Sequence, residues 1–304
     1  MRLSGAFVAA LCLTLLSLPA LALETVKVTD GIYAFVAEKQ QRSPTNLANN
    51  STHGLNVTAD GAVLVDPGDS YKGAEALHAV VRKVTDKPVK FVVNAGGQDH
   101  RWLGNGYWKA QGARIIASKA AVEGQKARGS MQMSMLAQLI KDALKGTEPT
   151  YADIVFDKAH EFELGGVKIV IRHEGHAHTP ADSFGGVPSS KTEFTGDIVY
   201  VERILGVNDH SKSGTWITAF EAMAALKPAH LVPGHGSPTT LARAKADTFD
   251  YLVNLRARIK ELQDNGGTVI DAPKVDQSAF RHLEQFQALA GRNAQQAFSE
   301  MEFE

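Results

Sequence analysis

Short runs of alternating or continuous apolar residues, punctuated by Gly and Asp, fill the first hundred positions of this chain. Val26–Val28 and Ile32–Val36 flank Asp30-Gly31 and predict a hairpin. Gly54–Thr58 and Ala62–Val65 flank Ala59-Asp60-Gly61 and predict a second. Leu77, Val80, Val81 and Val84 recur at helical spacing within Ala74–Val84. Val89–Val93 reads as a buried strand that runs straight into Asn94. A helix over Leu103–Gln111 and a strand over Arg114–Ala117 follow. Ala120–Leu144 predicts a long amphipathic helix, with Met131, Met133 and Met135 expected in its core face. Glu161–Leu164 and Val167–Arg172 pair across Gly165-Gly166, and Phe194–Tyr200 reads as a further strand. Trp216–Leu226 is helical, and His230–Pro233 is a short strand. Two helices close the chain, Leu241–Gln263 and Ser278–Glu300. The first carries the stripe Phe249, Leu252, Leu255, Ile259, Leu262. Two groups of strands, each with helices behind, predict an α/β (α+β) architecture of two packed sheets with helices outside.

Ala6–Leu18 breaks this pattern. It is a continuous apolar run after Arg2, followed by Pro19-Ala20-Leu21-Ala22. That is the layout of a secretory signal peptide over residues 1–22, with cleavage after Ala22. The run is too short to span a membrane comfortably. A periplasmic or secreted protein is expected, free of the membrane once the signal is removed. Cys12, the single cysteine, lies in this run, so the mature chain has no thiol for a disulfide, a nucleophile or a metal. The 304 residues carry a formal net charge of -1 and no long basic run, which argues against nucleic acid as a partner.

Polar residues of unusual type gather where strands end. His173-Glu174-Gly175-His176-Ala177-His178-Thr179-Pro180 follows one strand, Gly196-Asp197 closes another, and Pro233-Gly234-His235-Gly236 closes a third. Imidazole and carboxylate are the ligands zinc takes when thiolate is absent. Each sits beside Gly or Pro on a turn that a rigid sheet can hold in place.

In these motifs the chain resembles the metallo-β-lactamase fold superfamily of αββα hydrolases. The likeness runs from about Val26 to Thr240. It rests on Val63-Leu64-Val65-Asp66-Pro67-Gly68, His178-Thr179-Pro180-Ala181-Asp182-Ser183, Thr195-Gly196-Asp197 and Pro233-Gly234-His235-Gly236. It implies a four-layer αββα sandwich over residues 23–240, with 241–304 as a helical extension packed on it. It also implies metal ligation by His178, Asp197 and His235, with Asp66 orienting a ligand from behind.

The departure is at Asn94-Ala95-Gly96-Gly97-Gln98-Asp99-His100-Arg101-Trp102-Leu103-Gly104-Asn105. The superfamily carries N-T-H-x-H-x-D-H-x-x-G-N there. Without a gap, Gly96 and Gln98 replace the first two His, His100 the Asp and Arg101 the last His. With one extra residue before Gly104, Asp99 and His100 would instead be the D-H pair. The ungapped register is preferred. It leaves the first metal position only His178, Asp197 and a weak Gln98 oxygen, and gives the second His100, Asp197 and His235. One zinc ion is therefore expected, with iron also suited to two His and one carboxylate. His53 and His176 are candidates to fill gaps, and His173 and His210 are weaker ones. Arg101 cannot bind a metal but can fork onto a carboxylate, sulfate or phosphate, or be satisfied internally by Asp99, Asp197 or Asp66. Trp102, Tyr107 and Trp108 read as packing behind the site.

The leading expectation is an exported metal-dependent hydrolase acting on a small molecule of anionic, ester or thioester type. Asp197 and Arg101 would be its catalytic residues, and its C-terminal helices would cover the site's edge or support a homodimer. The alternative is a metal-poor pseudoenzyme serving as a periplasmic binding or accessory protein, since some exported relatives look like companions of periplasmic oxidation systems. A true β-lactamase stands third, because lactam hydrolysis in this superfamily relies on the ligands replaced here.

Overall fold

A computed structural model describes residues 23–304, and the signal peptide read over 1–22 lies outside the described residues. The chain opens with β1 (Glu24–Thr29), β2 (Ile32–Val36), β3 (Thr52–Val57) and β4 (Ala62–Val65). Then come α1 (Tyr71–Val84), β5 (Val89–Val93), α2 (Asn105–Ala110), β6 (Arg114–Ser118), α3 (Lys119–Ile140) and β7 (Ile154–Phe156). These strands form one sheet in sequence order, antiparallel from β1 to β4 and parallel from β4 to β7.

The second sheet comprises β8 (Ala159–Leu164), β9 (Val167–Arg172), β10 (Phe184–Val187), β11 (Thr192–Phe194) and, after α4 (Ser213–Ala224), β12 (His230–Val232). Its spatial order is β12-β11-β10-β9-β8. The chain ends in α5 (Leu241–Ala244), α6 (Asp250–Asp264) and α7 (Phe286–Met301).

Burial gives the layers. Ile32, Ala34, Val63, Val93 and Ile116 of the first sheet meet Ile169, Ile171, Val187, Phe194 and Val232 of the second in one core. Leu55, Leu64 and Val92, on the first sheet's other face, pack with Leu77 and Val81 of α1 and Trp108 of α2. Leu231 on the second sheet's outer side joins Trp216 and Phe220 of α4, Leu252, Leu255 and Ile259 of α6, and Ala294 and Phe298 of α7. This is the expected αββα order, and the last two helices complete the outer layer. Among the described residues no helix is long and apolar enough to cross a membrane.

Several elements depart from expectation. Met131 and Met135 are 50% and 54% exposed, so of the three methionines only the partly buried Met133 packs against a core, beside Leu136 and Ile140. Its buried face is Ala121, Gln125, Gly129, Gln132, Leu136 and Ile140, with polar Gln taking core positions. Gln132 accepts from Trp102 Nε1 and donates to the Gly97 carbonyl, so this face braces the Asn94–Asn105 loop. The strand predicted over Phe194–Tyr200 stops at Phe194 and becomes a tight turn at Gly196–Ile198. The helix predicted from Ser278 begins at Phe286, because Gln285 lies in left-handed space and stops it extending backwards.

Candidate metal centre

The site lies where the two sheets meet, along the ends of β3, β4, β5, β11 and β12. The Thr52 amide at the start of β3 donates to the Gly234 carbonyl just beyond β12, at 2.8 Å. The Asn94–Asn105 loop is closed at its base by reciprocal side-chain bonds between its two end residues, 2.9 Å each. Within it, Asp99–Arg101 form one turn of 3₁₀ helix that turns His100 and Arg101 into the interior.

Asp197 is the hub. It is fully buried and sits on the turn after β11, where Gly196 takes φ +50. A Cβ on Gly196 would approach the Ala95 side chain to 2.6 Å, so glycine is what lets this turn close. Four side chains converge on the carboxylate. Arg101 donates from Nε to Oδ2 at 3.1 Å and from Nη2 to Oδ1 at 2.7 Å. His100 Nε2 meets Oδ2 at 3.0 Å. His235 Nε2 lies 3.3 Å from Oδ1, and His178 Nδ1 lies 3.5 Å from Oδ2. The sequence motifs thus bring His100, His178, Asp197 and His235 around one point.

Both His100 and Arg101 face this point, as the ungapped register requires. Asp99 instead pairs with Arg42 and accepts from the His100 amide, and it is not among the side chains that meet Asp197. Gly96 stands where the first imidazole would be, and a Cβ there would meet Asp182 Oδ1 at 2.8 Å. Asp182 is held in place by the Thr179 amide and hydroxyl. A carboxylate therefore occupies the space beside Gly96. Gln98 is half-buried and makes no side-chain hydrogen bond. His176 turns away and bonds the His210 carbonyl, so it fills no gap. His53 is buried on the far side of β3, with Nδ1 at the Asp66 carbonyl and Nε2 sealed without a partner.

Two expectations about supporting residues need correction. Asp66 orients no histidine with its carboxylate; it accepts from the Ala95 amide and from Arg101 Nη1, at 2.8 and 2.7 Å. Arg101 is not an open anion fork. It is fully buried, and its remaining bond runs from Nη2 to the Gly234 carbonyl. A Cβ on Gly234 would lie 2.6 Å from that nitrogen and 2.3 Å from the Gly196 carbonyl oxygen, so the turn after β12 is shaped to receive the guanidinium.

Electrostatics follow from these contacts. Burial alone would raise the Asp197 carboxyl, but Arg101 and then His100 outweigh it and hold it well below the usual range. Burial presses down on the charged form of His100, yet Asp197 prevails and raises it to about 9. His178 falls to about 4 and His235 well below its ordinary value, both through burial. Burial also lifts Asp182 to about 7.

Two groups of donors have mutual distances within 4.8 Å, His100–Asp197–His235 and His178–Asp182–Asp197. The first fits an ion: two imidazoles and a carboxylate converge, and His235 is fixed from behind by Nδ1 at the Asn50 carbonyl and by stacking on Tyr200 at 4.5 Å. The second does not, because Asp182 is committed to Thr179 and His178 Nε2 faces the Asn208 amide at 3.1 Å. Sequence reasoning missed Asn208, Tyr200, Arg42 and Arg203, which no local motif marks.

The family described as Metallo-beta-lactamase superfamily matches residues 55–235. A metallo-beta-lactamase from Pontibacter korlensis is similar in structure, with TM-score 0.59 and 22% identity over 76% of this chain and 99% of that one. DIM-1 metallo-beta-lactamase gives 0.58 and 18%, over 76% and 96%. A stereoselective inverting sec-alkylsulfatase from Pseudomonas sp. gives 0.69 and 14%, over 91% of this chain and 50% of that one, so the chain spans half the sulfatase's length.

Proposed function

Because the chain belongs to the metallo-β-lactamase superfamily, we propose that it is an exported hydrolase with one divalent ion, held by His100, Asp197 and His235. Its substrate would be a small anionic ester or thioester. The observation that carries this reading is the convergence of those three buried donors while Arg101 already matches the charge of Asp197. Zinc suits the donor set, and iron(II) is the other ion with this preference. An ion there supplies Lewis acidity and brings the pKa of a water it holds to about 7.

The chain's own residues do the rest. Arg101 keeps Asp197 ionised and fixed in plane. His178 stays neutral, and its Nε2 accepts from the Asn208 amide, so the ring proton sits on Nδ1 and faces Asp197 Oδ2. The sulfatase likeness, which extends over more of the chain than the lactamase ones, supports an ester-type substrate over a lactam.

The test is turnover of chromogenic carboxylic, thio- and sulfate esters. Chelator-sensitive hydrolysis, restored by zinc or iron(II) and lost in His100→Ala and His235→Ala, is expected. Metal-free protein that hydrolyses none of them after reconstitution would support the second reading, an accessory binding protein. That reading is favoured by one observation, that Arg101 supplies a cation the fold would otherwise take from a metal.

A further inference from the structure

Among the described residues Arg203 is a buried guanidinium without an ion-pair partner. It is 5% exposed and lies beside the metal centre, three residues after Tyr200. Its Nη1 is 3.5 Å from His235 Nδ1, but that nitrogen is committed to the Asn50 carbonyl at 2.9 Å. A nitrogen that donates to a carbonyl cannot also accept from a guanidinium, so the contact gives Arg203 no acceptor. Nε is sealed from solvent and has no partner. Among the described residues Arg203 makes no ion pair.

The carboxylates around it are engaged elsewhere. Asp197 is held by Arg101 and His100. Glu202 and Glu284 both pair with Lys39, at 2.7 and 3.3 Å. Arg42 is near enough for its charge to oppose that of Arg203, and Arg42 is itself spoken for by Asp99. The backbone is bent to put Arg203 here. Glu202 takes φ +65, held by its amide on Asp247 Oδ2 at 2.9 Å and by Ser237 Oγ on its carboxylate at 3.1 Å. Strained backbone and a buried cation without a counter-ion both cost stability, and such features persist where function needs them.

We propose that Arg203 is the oxyanion-recognition residue of this site, taking a carboxylate or sulfate group of the substrate beside His235. It rests on reading this centre as a substrate site, and it moves to Arg203 the anion role that Arg101 is too enclosed to play. A planar guanidinium offers two parallel donors to such a group.

The probes are sodium sulfate and sodium acetate, titrated against sodium chloride at equal ionic strength, with thermal unfolding as readout. The wild-type midpoint should rise saturably with at least one of the two, and the responding anion tells sulfate from carboxylate. Arg203→Met should weaken that response tenfold or more, keep the wild-type metal content, and unfold in chloride no earlier than wild type. Arg203→Lys should retain a weakened response. No saturable response in wild type, an equal response in Arg203→Met, or Arg203→Met unfolding well below wild type in chloride while Arg203→Lys does not, would each overturn the assignment. Sulfate or acetate binding in a protein that takes up no metal would leave Arg203 in this role and remove the hydrolase reading instead.

Discussion

Replacing Arg101 by Leu leaves Asp66 and Asp197, 1% and 0% exposed, without their shared cation. Arg101 makes four hydrogen bonds, three to these carboxylates at 2.7 to 3.1 Å and one to the Gly234 carbonyl. Removing one partner of a buried pair costs about 3–5 kcal/mol. Here two carboxylates lose it, so the upper end is expected, offset in part by protonation of Asp66, whose pKa burial already pushes up. At roughly 2–4 °C per kcal/mol for a domain of this class, Tm falls by roughly 10 °C or more. Thermal and urea unfolding in excess chelator measure it. Arg101→Lys, which keeps the charge and loses the fork, should fall between the two. Added zinc should stabilise Arg101→Leu more than wild type, since a divalent ion can stand in for the missing charge. A loss below about 1 kcal/mol in chelator would refute the reasoning, because it would mean the two carboxylates are satisfied without Arg101.

The other expectations are independent of Arg101's charge. Gly234→Ala should cost at least about 2 kcal/mol in urea unfolding, since its methyl would lie 2.3 Å from the Gly196 carbonyl oxygen in a packed turn. Glu193 of β11 is buried and lifted to about 7, burial outweighing the pull of Arg172. The folded state therefore holds its proton between about pH 4.5 and 7 while the unfolded chain does not, so Glu193 makes stability fall as pH rises through that window. Glu193→Gln should match wild type at pH 4 and exceed it at pH 8 by up to about 3 kcal/mol, at about 1.4 kcal/mol per pH unit. Met135→Lys, at a 54% exposed position of α3, should change stability by less than about 0.5 kcal/mol.

The layer order was legible because both sheets and the main helices carry their own periodicity. Leu77, Val80 and Val81 face the first sheet as their spacing predicts. What stayed hidden depends on distant contacts. β10, Phe184-Gly185-Gly186-Val187, carries little strand propensity and exists because β9 and β11 flank it. Ile198 and Val199 look like strand residues, but the turn at Gly196 delivers them to the helical side of the second sheet, against Trp216. In α3, binary pattern favours all three methionines for the core, yet Met131 and Met135 face out, while the loop above needs Gln132 as a donor. At the site, His100, His178, Asp197 and His235 were readable because each lies in a marked loop or turn that follows a strand. For Arg101 the sequence left an external anion and an internal carboxylate, Asp99, Asp197 or Asp66, both open, and sequence order does not show that Asp66 and Asp197 arrive on either side of it. Arg203 carried no signal: its significance is the lack of a counter-ion, which only three dimensions display.

The central claim is one metal position, held by His100, Asp197 and His235, with the Arg101 guanidinium matching the charge of Asp197. Elemental analysis of protein purified without added metal, and again after dialysis against zinc, tests it directly. A mononuclear centre predicts about one ion per chain after loading, lost in His235→Ala and kept in Arg203→Met. Two tightly held ions per chain, or undiminished metal in His235→Ala, would contradict it.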